Sequence, residues 1–202
     1  MTSSPEPIIL ASGSAVRAAL LRNAGVTFAI APVRIDEAAI RDALLAEGAS
    51  PRDIADHLAE LKSARASSRH PGALVIGCDQ VLAIGRDVLG KPESTAEARA
   101  QLVALRGREH RLMSAVVVHR DGEPLWRHVG EARLVMRDVS DAWLDGYLSR
   151  NAASLGDTVG GYKLEEEGVR LFSRIEGDYF TILGLPLLPL LSWLSLRGTI
   201  PS

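Results

Sequence analysis

The chain has 202 residues, 47% of them apolar, which is enough for a packed core without covalent staples. Its formal net charge of −2 offers no basic field to gather nucleic acid, and its single cysteine, Cys78, excludes an internal disulfide or a cysteine-rich metal site. A cytoplasmic protein with no nucleic-acid partner is therefore expected, and the opening MTSSPEP lacks the basic and apolar regions of an export signal.

In chain order, PIILA reads as a short buried strand and SAVRAALLRNAG as a helix capped by Ser14 and stopped by Gly25. VTFAIAP is a second strand. Helices are expected from about Asp36 to Glu47 and from about Pro51 to Ser68, where Ile54, Leu58 and Leu61 recur at helical spacing. ALVIGCD is the clearest strand, and VLAIGRDVLGK reads as a hairpin. STAEARAQLVALRG is a helix with Ser94 or Thr95 at its cap and Gly107 at its end. HRLMSAVVVHR and EPLWRHVGEARLVMR are strands joined at Asp121-Gly122, a dipeptide suited to a tight hairpin. DAWLDGYLSR is helical, GDTVGGY a glycine-rich loop and RLFSRI strand-like. The last apolar stretch, YFTILGLPLLPLLSWLSL, approaches a membrane span in length, but Gly184, Pro186 and Pro189 interrupt it. A buried strand or loop, then a core helix started by Pro186, is expected, with no membrane association. Strands alternating with helices, plus a long antiparallel pair, imply a mixed α/β fold in one domain over residues 1–202.

Several residues could carry chemistry. Asp79 ends an apolar run, a place where ligands bind in open α/β sheets; it suits a base or a metal ligand, and equally a turn aspartate bonding its own backbone. GRDVLGKP matches the first seven positions of a phosphate-cradling GxxxxGK loop, but Pro92 stands where a magnesium-binding Ser or Thr is required, which rules that loop out. Lys91 remains a cation on a rigid Lys-Pro step. Glu37 could simply complement the dipole at a helix start, and Lys62 could be a solvated lysine beside an apolar face. The histidines at 57, 70, 110, 119 and 128 lack metal-ligand spacing, Glu165–Glu167 read as a solvated charge run, and Cys78 as a small core residue. Together the carboxylates and cations offer what phosphoanhydride hydrolysis needs: a prepared water and positive charge on the phosphates.

Eight segments in order, LASGSAVRAALL, IDE, LAELKSARA, VIGCDQVL, LGKPESTAEA, LRGREH, GGYKLEEEG and IEGDYFTILGLPL, resemble the successive motifs of the Maf family of nucleoside triphosphate pyrophosphatases. The resemblance implies a twisted mixed sheet with flanking helices, two lobes around a cleft as in inosine-triphosphate pyrophosphatases, and a homodimer. It implies cleavage of a nucleoside triphosphate between the α and β phosphates with a divalent metal, Mg²⁺ or Mn²⁺. By the same resemblance Asp79 is the general base, Glu37 the acidic metal or water-positioning residue, and both are candidate metal ligands. Arg17, Lys62 and Lys91 fall on cationic triphosphate-binding positions, and Ser12 and Ser14 in the loop that receives the phosphates. The family is also associated with septum formation, so a nucleotide-binding regulator of cell division with little catalysis is the alternative. The usual first motif, SxSPRR, departs here to Ala15, Val16 and Arg17 in its last three places. Val16, Gln80 and Glu165 occupy the substrate-selecting positions, and the last two are similar to the 7-methyl-GTP branch rather than the dTTP and UTP branch. Glu165 could accept from guanine N1–H and its amino group and would favour a cationic methylated base.

Overall fold

The computed structural model describes residues 6–201; the opening MTSSP of the leader and Ser202 lie outside the described residues. The elements are β1 (Ile8–Leu10), α1 (Ala15–Asn23), β2 (Ala29–Ile30), α2 (Glu37–Ala46), α3 (Pro51–Ser67), β3 (Leu74–Ile84), β4 (Asp87–Leu89), α4 (Thr95–Leu105), β5 (Glu109–Arg120) and β6 (Glu123–Met136). After these come α5 (Asp141–Asn151), three short 3₁₀ turns between Leu155 and Leu171, β7 (Phe172–Glu176), α6 (Tyr179–Ile182) and α7 (Leu187–Leu196). The sheet order is β2-β1-β3-β5-β6-β7, with β4 also paired to β3. Short parallel β1 and β2 flank an antiparallel body, so the mixed α/β fold expected from the alternation of strands and helices holds.

Local chemistry explains most of the boundaries. The side chains of Ser14, Asp36, Ser50, Ser94, Ser140 and Asp178 each accept a backbone N–H of the helix they precede. Ser94, not Thr95, therefore caps α4. Asp121 and Gly122 both have positive φ, 51° and 84°, as a two-residue turn between right-twisted strands requires. Two readings were too short or too long. The strand in VTFAIAP is reduced to Ala29–Ile30, because only Leu10 and its neighbour offer it an edge. β3 does not end at Asp79 but runs on through it, since β5 pairs with it from Val75 to Ala83. The carboxylate thus sits in mid-strand.

The other edge of β3 is interrupted. β1 accompanies it only over Leu74–Ile76 and β4 only over Leu82–Ile84, which leaves residues 77–81 with no strand beside them there among the described residues. Side chains alternate across this gap. Gly77, Asp79 and Val81 face α3, while Cys78 and Gln80 face the side carrying α1, α6 and α7. One core gathers α1, α7 and the first half of β3 around Leu10, Leu21, Ile76 and Leu190. A second gathers α4, α5 and the far half of β3 around Leu82, Leu102, Leu134 and Tyr147. These are the two lobes, and the cleft between them opens at the gap. Among the described residues no helix is long and apolar enough to cross a membrane, and α7 has only 10 residues.

Candidate active site

A cavity of about 490 Å³ lies over the β3 gap, and all ten residues singled out in the sequence border it. Its floor holds Lys62 of α3, whose Nζ lies 2.5 Å from Asp79 Oδ1 and 2.8 Å from Glu37 Oε1. The placement follows from local structure. Gly77 lets α3 pack directly on β3, for a Cβ there would lie 2.3 Å from the Ala59 carbonyl oxygen. Lys62 is consequently buried, at 7% exposure, and not the solvated lysine its helix alone would suggest. Asp36 does the capping of α2, so Glu37 turns toward Lys62.

The two carboxylates differ in proton affinity. Burial is the largest influence on Asp79 and raises it above the usual aspartate range, although Lys62 and Arg17 pull it down. Burial also pushes Glu37 up, but Lys62, with Lys91 and Arg17 behind it, outweighs that and holds it below its usual value. Cys78, on the opposite face, is pushed up to about 11 by burial and is no nucleophile.

The phosphate-side candidates are more constrained than their sequence implies. Ser14 is committed to its cap, and the buried Ser12 hydroxyl accepts from Ser14 N–H at 3.2 Å and from Arg17 Nη1 at 3.3 Å. Arg17 also donates from Nη1 to the Cys78 carbonyl, 3.0 Å, and from Nε to the Gly184 carbonyl, 2.7 Å. It thereby satisfies a carbonyl left bare by the gap in the sheet. Lys91 is exposed at the rim and forms no ion pair among the described residues.

Gln80 donates its Nε2 to Ser114 Oγ at 2.9 Å, the Ile182 carbonyl at 2.9 Å and the Thr181 carbonyl at 3.2 Å. Three acceptors on one side fix the amide orientation, so Oε1 is the atom left to meet a ligand. Val16 and the exposed Glu165 stand at the cavity edge. The glycine-rich segment is a pair of 3₁₀ turns rather than open loop, with Gly160 and Gly161 at positive φ, 78° and 69°. Thr158 Oγ1 donates to the Tyr162 carbonyl, 2.7 Å, and the Tyr162 hydroxyl lies 2.7 Å from Nε2 of the buried His110. His110 thus supports the wall bearing Lys163 and Glu165. Sequence reasoning missed this role, as it did Arg41, whose signal was its position one helical turn past Glu37.

Among the described residues no group of three His, Cys, Asp or Glu side chains forms a metal cage. Lys62 takes one oxygen of each carboxylate, and the other oxygens, Glu37 Oε2 and Asp79 Oδ2, are those that could hold a hard divalent ion of the kind bound by one or two carboxylates and completed by substrate phosphates.

The profile of the Maf-like protein family matches residues 7–196. The chain belongs to the Maf family. A relative from Roseobacter denitrificans named nucleoside triphosphate pyrophosphatase is 59% identical over 197 residues, covering 98% of this chain and 99% of its own length. One of the same name from Ruegeria pomeroyi is 57% identical, covering 96% and 98%. A relative from Mesorhizobium japonicum named 7-methyl-GTP pyrophosphatase is 50% identical, again covering 96% and 98%. A crystal structure of a nucleoside-triphosphatase, or dITP/XTP pyrophosphatase, from Mycobacterium abscessus aligns over 96% of this chain and 98% of its own at 15% identity and a TM-score of 0.44. The family membership expected from eight collinear segments is therefore correct.

Proposed function

We propose that this chain is a nucleoside triphosphate pyrophosphatase, hydrolysing its substrate to a nucleoside monophosphate and pyrophosphate. The observation that carries this is the Asp79–Lys62–Glu37 trio beneath a cavity whose rim bears further cations. Asp79 takes a proton from water, the resulting hydroxide attacks the α-phosphorus, and the bond from that phosphorus to the bridging oxygen breaks as pyrophosphate leaves. Lys62 opposes the effect of burial on Asp79 and aims its carboxyl group, and Glu37 holds Lys62 from the other side. Ser12, Ser14, Arg17 and Lys91 receive the phosphates; Arg17 does so with its remaining donors while its Nε and one Nη1 bond hold the cavity wall. A divalent ion, Mg²⁺ or Mn²⁺, held by Glu37 and Asp79 would supply charge to activate the water and neutralise the phosphates.

For the base, Gln80 Oε1 and the Glu165 carboxylate are both acceptors bordering the cavity, which supports a guanine and within that class 7-methylguanine, whose positive charge suits Glu165. A pyrimidine has no adjacent pair of donors to match. The proposal extends to one domain, a cytoplasmic location, no nucleic-acid or membrane partner, and a homodimer. Support for a dimer is the apolar face of α7, where Leu188 and Leu196 are 55% and 89% exposed beside the stacked Trp126 and Trp193. The test is a panel of 7-methyl-GTP, UTP, dTTP and unmodified purine triphosphates with pyrophosphate detection. Loss of turnover in a folded Asp79→Asn protein is expected, by a factor of about 10² to 10⁴. Retained turnover would remove Asp79 from the mechanism, and preference for UTP and dTTP would overturn the reading of Glu165.

A further inference from the structure

Among the described residues five cations border the cavity: Arg17, Arg41, Lys62, Lys91 and Lys163. Three are already engaged. Lys62 is held by two carboxylates, Lys163 by Asp157 at 2.7 Å and Glu166 at 3.5 Å, and Arg17 by two backbone carbonyls and a serine hydroxyl. A triphosphate carries several negative charges, so the remaining two cations, Lys91 and Arg41, matter most. Arg41 stands on α2 one turn beyond Glu37, and residues at that spacing share a helix face. Its only ion pair among the described residues is through Nε to the adjacent, exposed Asp42, at 3.4 Å. That leaves both terminal nitrogens without a carboxylate.

Gly90 explains where those nitrogens go. Its φ is not positive, so no backbone conformation demands glycine. Space does: a Cβ at Gly90 would lie 2.6 Å from Arg41 Nη1 and 3.3 Å from its guanidinium carbon. The guanidinium lies over Gly90, immediately before Lys91 in the chain. Two chain segments far apart in sequence thus bring a fork of donors and a point charge to the same cavity. A planar fork matches two phosphate oxygens at once, whereas an ammonium does not. Along α2, Glu37 reaches the reaction centre and Arg41 lies a turn away from it, on the side where Lys91 stands.

We infer that Arg41, seated on Gly90, is a further phosphate-binding residue that grips the pyrophosphate half of the substrate together with Lys91. This rests on the pyrophosphatase reading for the identity of the ligand, and the site is tested independently of turnover. α2 has no fully buried residue, so substitution at Arg41 leaves the cores intact. Gly90→Ala displaces the far end of a flexible side chain and keeps every charge.

The experiment is calorimetric titration of the full chain with inorganic pyrophosphate, with a nucleoside monophosphate as control, both in Mg²⁺ buffer. Arg41→Gln is expected to weaken pyrophosphate about tenfold or more and leave the monophosphate unchanged, with Arg41→Lys recovering part of the loss. Gly90→Ala is expected to weaken pyrophosphate in the same selective way, and the double variant to be no weaker than Arg41→Gln alone, because both act on one contact. Pyrophosphate affinity within twofold of wild type in Arg41→Gln, or no binding to wild type, overturns the inference. Additive losses in the double variant overturn the role of Gly90 as seat. Steady-state rates separate this from the parent reading: a wild type that binds pyrophosphate but releases none from nucleotides removes the enzyme assignment and leaves the anion site. Normal turnover with Arg41→Gln showing unchanged KM and unchanged product inhibition removes Arg41 alone.

Discussion

Replacing Gly77 by alanine places a methyl group where α3 and β3 touch. The added Cβ would lie 2.3 Å from the Ala59 carbonyl oxygen, 2.6 Å from the Ser63 nitrogen and 2.7 Å from the Ser63 Cβ. Ordinary contacts begin near 3.4 Å, so the helix must withdraw by about 1 Å. Backbone on both sides leaves no flexible group to yield. Overpacking of this kind costs about 1–3 kcal/mol. Lys62, adjacent to Ser63, moves with the helix, and a misplacement of about 1 Å in a reacting constellation costs on the order of 100-fold in rate. Urea unfolding followed by circular dichroism gives the first quantity, and initial rates of pyrophosphate release give the second. Gly77→Ala should lose both stability and turnover while remaining folded in buffer. Wild-type midpoint and wild-type rate together would refute the close packing of α3 as the device that buries Lys62.

Other perturbations separate neighbouring roles. In metal-free protein the Asp79 carboxyl, followed by carbon NMR, should titrate above the usual aspartate range, and Lys62→Gln should move it higher, since Lys62 pulls it down. A carboxyl raised by folding contributes its full stability below the unfolded value and loses it as pH rises through the folded one, so Asp79→Asn should gain on wild type across that interval. His110 is lowered to about 4 by burial, from 6.5. Its contribution is complete above about pH 6.5 and is lost as pH falls toward 4, by about 3 kcal/mol at the low end; His110→Gln should flatten that limb in urea midpoints measured against pH. Gln80→Glu turns an acceptor toward the Thr181 and Ile182 carbonyls, and should lower stability by about 1–3 kcal/mol as well as alter the choice of base, read by thermal melts and the nucleotide panel.

How much could be read from the chain depended on whether the signal was local. Caps at Ser14 and Ser94 and the Asp121-Gly122 turn are set by neighbours in sequence, and they were legible. So was the alternation of strands and helices. The length of β3 was not, because a carboxylate inside an apolar run looks like its end unless the partner strand is known; nine consecutive pairings with β5 keep it extended. Lys62 looked solvated for the same reason. Its burial is caused by a glycine 15 positions away on another element, through a contact that no periodicity reveals. Motifs in collinear order located all ten residues around one cavity, yet they gave no hint that Ser14, Arg17 and Gln80 spend donors or acceptors on the protein itself. Arg41 was passed over because an arginine on an amphipathic helix is ordinarily a surface charge.

Arg17 has a consequence for how the protein comes into being. Its bond to the Gly184 carbonyl joins positions 167 residues apart, and the same guanidinium covers the bare Cys78 carbonyl at the sheet gap. A chain emerging from the ribosome in N- to C-terminal order holds Glu37, Lys62 and Asp79 long before Gly184 exists. Until then the cavity wall on that side is unfinished and the guanidinium has one anchor too few. The wall that Arg17 braces is therefore completed only when the segment around Gly184 has been made, so a product terminated before it would carry Glu37, Lys62 and Asp79 beside a wall without its brace.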